Sequence, residues 1–237
     1  MKVSEVIQRI QSLYSKGVDS DNSRLSPRHI VNKVNTVRAK LLSQDKRRRI
    51  VFSQWSYQTL PCVKLISAPL SECPCVPETG CEILKSEFPI PSLIIGLNQH
   101  SIQSVTSIDG EVSYSATTWL AMKSEDGRKF TSKKPSYFIK DDHLYIPHRG
   151  GPKILTISAV FENPDEAYVF PSYCGDYPCT EGDCPECVAI VDRVYPCESK
   201  LLEDIITISV QELVVMFSKS VEDLTNDTKD GLRQQSK

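Results

Sequence analysis

The sequence predicts an α+β protein: N- and C-terminal helices come together as a bundle, and an antiparallel β-rich domain is inserted between them. Three observations predict it. Apolar residues recur at three- and four-residue spacing up to about residue 49, turn pairs break up β-type runs from about 58 to 161, and a second long helical pattern runs from about Lys200 to Lys219. The chain divides accordingly. Residues 1–57 form an N-terminal helical hairpin and 58–162 the β-rich insertion. Residues 163–219 hold a short helix, a cysteine-rich loop and a long helix packing back on the hairpin, and 220–237 form a polar arm.

In the first segment Val3, Val6, Ile7, Ile10, Leu13 and Tyr14 make one stripe. Lys16-Gly17 ends that helix, and Asp19 to Ser23 is a polar turn. Ser26-Pro27 opens the next helix, with Ser as the N-cap and Pro at the first helical position, where a missing N–H costs nothing. Its stripe is Ile30, Val31, Val34, Val37, Leu41 and Leu42. Lys46, Arg47, Arg48 and Arg49 close it, cations at the negative end of the helix dipole.

In the middle segment, Ser101–Ile108 and Val112–Trp119 flank Asp109-Gly110, a tight-turn pair that favours positive φ. Tyr137–Ile139 and Leu144–Ile146 flank Asp141-Asp142 and read as a second hairpin. Lys153 to Phe161 reads as a strand, and the proline-dense stretch from Pro61 to Pro91 as mostly loop around short strands. Asn163-Pro164 caps a short helix by the same logic as Ser26-Pro27. In the last helix Leu202, Ile205, Ile206, Leu213, Met216 and Phe217 share one side, and Ile208, Val210, Val214 and Val215 widen it. A helix apolar on most sides is expected to be buried between neighbours.

Composition narrows the function. Hydrophobic residues are 40 % and charged residues 24 % of 237, ordinary for a globular chain, and the net charge of −2 gives no reason to coat nucleic acid. No stretch is apolar enough to span a bilayer, and Glu5, Gln8 and Arg9 interrupt what a signal peptide would need, so the chain is expected to be made and folded in a cytoplasm. Nine cysteines cannot all pair internally, and in a reducing compartment they read first as buried thiols or metal ligands.

Cys174, Cys179, Cys184 and Cys187 form a C-x4-C-x4-C-x2-C set that could hold a structural zinc. Only its second half has regular zinc-knuckle spacing, and free thiols in a small loop core explain it equally simply. Cys73, Cys75 and Cys81 are a less regular group, with Cys62 and Cys197 apart. None of the four histidines sits in a metal motif. No nucleophile elbow, phosphate loop or dinucleotide fingerprint is present, and the Asp141-Asp142 pair lies in a turn, so the chain is not expected to be an enzyme. A zinc-stapled nucleic-acid-binding or regulatory module is the alternative, resting on the cysteine loop and the basic run. The lack of aromatics interleaved with that run weighs against it.

Several stretches together carry a family resemblance. They are Asp21 to Ser26 with Asn32-Lys33-Val34, Ser53 to Cys62, Glu72-Cys73-Pro74-Cys75, Gln103 to Gly110, and Thr131 to Pro135. This combination resembles the head–tail connector ring proteins of crAss-like phages, over most of the chain. The resemblance implies a structural virion protein with an adaptor-like helical core and no catalytic residues. It implies self-association into a ring, probably twelvefold, docked under the portal beside adjoining tail or second ring proteins. Viral DNA would pass non-specifically through the lumen, with no membrane involved. The tail from Ser220, with Asp223, Leu224, Leu232 and Arg233, would be an arm that orders against the portal, its alternative being a frayed terminus.

Overall fold

The computed structural model describes residues 1–16, 25–48, 51–68, 82–95, 100–121, 135–148, 153–171 and 190–217. Helix α1 spans Val3–Tyr14 and α2 spans Pro27–Arg47. The Glu5 carboxylate accepts a hydrogen bond from the Lys2 backbone N–H at 2.8 Å and so caps α1. At α2 the Ser26 hydroxyl accepts from the His29 N–H at 3.3 Å, with Pro27 in the first turn. A short 3-10 turn, Gln54–Ser56, leads into the strands.

Seven strands follow: β1 Gln58–Ser67, β2 Glu82–Ser86, β3 Ile102–Ser107, β4 Ser113–Ala116, β5 Ser136–Lys140, β6 His143–His148 and β7 Ile154–Ala159. They close into a barrel in the order β1-β2-β6-β5-β4-β3-β7, with β7 returning to β1. Both expected turns are present. Gly110 has φ +75°, and Asp141 and Asp142 have φ +49° and +59°, the left-handed pair that a two-residue hairpin turn needs. Strand β7 alternates strictly, with Leu155, Ile157 and Ala159 pointing inward among Leu60, Val105 and Leu144.

After β7, Asn163 caps α3, Pro164–Tyr168, its side-chain oxygen accepting from the Asp165 N–H at 3.2 Å. Helix α4, Ser199–Phe217, then packs Leu202, Ile205, Ile206 and Leu213 against Val6, Ile10, Ile30 and Val34 of α1 and α2. The start of the chain is pinned to the segment before α4: the Val3 N–H donates to the Arg193 carbonyl and the Tyr195 N–H to that of Met1. A smaller cluster of Leu42, Phe52, Ile94 and Val160 joins α2 to the strand layer.

This corrects the expected fold class. The β-rich stretch is not an antiparallel domain inserted into a helical bundle. It is a closed seven-stranded barrel with few helices beside it, and one of its pairs, β4 with β5, is parallel. Two physical reasons explain the difference. Local hairpin signals say nothing about the long-range pairs β1–β7, β2–β6 and β4–β5 that close the barrel. The proline-dense stretch also conceals β1, which runs straight through Pro61: the register shifts between Leu60 and Val63, and Cys62 takes φ +53°. Such a bulge is where a residue without an N–H fits in a strand.

Two smaller expectations are also corrected. Strand β4 stops at Ala116, short of the expected Trp119. The last turn of α4 is not buried: Val214, Val215 and Met216 are exposed.

Candidate assembly surface at the barrel–helix junction

The face of α2 that meets the barrel follows one four-residue ladder: Ile30, Val34, Arg38 and Leu42. Arg38 is 0 % exposed. Its Nε donates to the Pro196 carbonyl at 3.0 Å, Nη1 to that of Phe161 at 2.8 Å and Nη2 to that of Ser56 at 3.3 Å. One planar, permanently charged fork thus ties α2 to the exit of β7, to the 3-10 turn before β1 and to the approach to α4. Burial pulls its pKa down from the usual guanidinium value. The three carbonyl dipoles oppose that, since hydrogen bonds to an ionised donor are the strong ones.

Polar groups around Arg38 extend the tie. The buried Tyr195 hydroxyl donates to Asn35 Oδ1 at 3.1 Å, and Asn35 Nδ2 donates to Asn163 Oδ1 at 3.2 Å and to Asp165 Oδ2 at 3.1 Å. Burial raises the Tyr195 pKa, against the pull of Arg38. Burial pushes the Cys197 thiol up to about 11, with Arg38 again acting the other way. Desolvation likewise raises Asp165, and the Asn35 hydrogen bond partly offsets it. Gln58 at the start of β1 donates to the Pro164 carbonyl at 3.1 Å. Tyr168 donates to the Val194 carbonyl at 2.9 Å, and its ring lies 4.6 Å from the Arg193 guanidinium.

Above this network lies a cleft of about 830 Å³ between the barrel, the 193–198 segment and the first turn of α4. Trp55, Tyr57, Tyr168, Val194, Tyr195 and Lys200 are among its walls. Trp55 is 67 % exposed and Val194 63 % exposed. A large aromatic held open on a short turn whose base is fixed by Arg38 has the character of an interface anchor. This is a rigid surface suited to seating another protein segment.

The sequence-predicted site residues do not meet here. Cys174, Cys179, Cys184 and Cys187 lie outside the described residues, as do Cys73, Cys75 and Cys81, and as do Ser220, Asp223, Leu224, Leu232 and Arg233 of the arm. Of the two described cysteines, Cys62 is disulfide-bonded and not the thiol or ligand expected, while Cys197 is free. Of the basic run, Lys46 lies 5.7 Å from the Phe52 ring. Sequence reasoning passed over Arg38, Asn35 and Trp55. A signal for Arg38 was present: it stands four residues from both Val34 and Leu42, a cation in the middle of an apolar ladder.

A family model described as phage tail ring protein 2 matches residues 5–232, nearly the whole chain. The chain belongs to that family. It is therefore a structural ring protein of the phage virion, which agrees with the resemblance read from its motifs. No curated protein matches it. Among the described residues, no helix is long and apolar enough to cross a membrane. In a ring protein of this family, the junction described above is the face where rigidity and exposed aromatic surface coincide.

Proposed function

We propose that this chain forms a head-to-tail connector ring that docks on the portal in the neck of the particle and lines part of the DNA conduit. The observation that carries this reading is the family match over residues 5–232. Physical arguments support the finer points. Identical subunits joined by one repeated heterologous contact close into a ring when the rotation per subunit divides a full turn, here into twelve. A conduit should not grip its cargo, and a chain of net charge −2 has little counterion-release affinity for DNA.

In this reading the segment from Ser220, with Asp223, Leu224, Leu232 and Arg233, is the arm that engages the portal. Cys174, Cys179, Cys184 and Cys187 are the set that would hold a zinc stapling their loop. Native protein free of zinc by metal analysis would remove the staple. The docking is tested by mixing the full chain with purified portal rings and weighing the products by mass photometry. A portal complex carrying a fixed number of copies is expected, and it should be lost when residues 220–237 are deleted. A portal that stays bare in the presence of the full chain would overturn the docking.

A further inference from the structure

We propose that the cleft beside the first turn of α4 receives the exposed last turn of α4 from a second copy of this chain. Each copy would then give one end of this helix to each of its two neighbours. The proposal rests on the ring reading and adds to it the face through which the ring closes.

Helix α4 has two different ends. At its start Glu198, Ser199 and Lys200 form part of the cleft wall, beside exposed Trp55, Val194 and Met1. At its other end Met216 is 63 % exposed, and Val214 and Val215 are also exposed. Between them, Leu202, Ile205, Ile206 and Leu213 are buried against α1 and α2, so the helix is clamped along its length. Nineteen residues make a rod of about 27 Å, and a chain cannot bring the far end of this rod into its own cleft.

A concave aromatic feature and a convex aliphatic one, fixed about 27 Å apart on one rigid rod, form a heterologous pair. Such a pair cannot satisfy itself about a two-fold axis through one patch, and it leaves no unmatched face when the ring closes. The chemistry is complementary. Met216 is flexible and polarisable, and makes favourable sulfur contacts with an aromatic such as Trp55.

Charge points the same way. The first turn of α4 has no acidic residue and the last turn no basic one, so within those turns no side chain offsets either end of the helix dipole. Seating one copy's C-terminal turn beside the next copy's N-terminal turn brings the negative end to the positive one. The two ion pairs that α4 makes along its flank, Arg9 with Glu203 and Lys33 with Glu212, hold it to α1 and α2 and lie away from both ends.

The test places a photoreactive benzoylphenylalanine at position 55 of the full chain. It is mixed with unmodified, heavy-isotope chain, rings are assembled or recovered from particles, and the product is irradiated. Cross-links from position 55 to residues 209–217 of the heavy copy are expected. In parallel, Met216→Asp, a change at an exposed position, should leave thermal unfolding unchanged and weaken ring formation roughly thirty-fold or more, as loss of an interface anchor does. Rings that cross-link from position 55 only to other segments, or only within one isotope, would overturn the proposal and leave the ring reading intact. Ring formation by Met216→Asp at parental strength would do the same. Failure of the unmodified chain to form a ring in solution or in particles would overturn both.

Discussion

At Arg38, carbonyls from three segments far apart in the chain converge on one guanidinium with no solvent beside it. Charged hydrogen bonds contribute about 1.5–3 kcal/mol each, and an orphaned buried carbonyl costs a similar amount. Arg38→Leu should therefore destabilise the fold by at least about 3 kcal/mol in urea unfolding, and Arg38→Lys should recover only part, because an ammonium cannot reach in three directions. A loss under about 1 kcal/mol would mean that water or a shifted backbone takes over the role. Asp165 offers a pH test. Its pKa is raised above the ordinary 3.8 by desolvation, so between that value and the folded pKa the folded chain keeps a proton that the unfolded chain has released. That stabilisation is fully present below 3.8 and is lost as pH rises through the folded pKa. Asp165→Asn, neutral at every pH, should raise the unfolding temperature relative to the parent above the folded pKa and lose that advantage below 3.8. A constant offset at all pH values would contradict this. Little of this network could be read from the sequence. The ladder position of Arg38 was visible, but its carbonyl partners are backbone groups 18, 123 and 158 residues away, which no local pattern encodes.

The elements that depend on local chemistry were the legible ones. Ser26-Pro27 and Asn163-Pro164 cap helices because a short polar side chain followed by proline satisfies an orphan N–H and needs none of its own. Asp109-Gly110 turns the chain because glycine takes φ +75° without strain. No atom of the surroundings lies within 4 Å of a Cβ added at Gly110. Gly110→Ala should therefore destabilise by about 1 kcal/mol through backbone conformation alone. Its thermal midpoint is expected to fall by several degrees, and an unchanged midpoint would show that the turn relaxes into another type. What could not be read locally was β1, where prolines suggested a loop and the bulge at Leu60–Val63 absorbs Pro61 instead. The end of α4 misled in the opposite sense. Its apolar residues are as hydrophobic as buried ones, and only the placement of α1 and α2 leaves Val214 and Met216 uncovered.

For the whole molecule, the barrel and the three long helices are joined by the Leu42–Phe52–Ile94–Val160 cluster and by Arg38, so a load on one layer passes directly to the other. That suits a subunit whose purpose is to hold a position in an assembly. Fold class was the least legible feature, because closure of seven strands is a property of long-range pairing. Family membership was legible in the combined motifs and agrees with the match over residues 5–232. The central claim is that copies of this chain form a ring in the virion. A cryo-EM reconstruction of the intact particle tests it most directly: the account predicts a closed ring into whose repeating unit this seven-stranded barrel and its helices fit. A neck and tail fully resolved, with no density that accepts this chain, would contradict it.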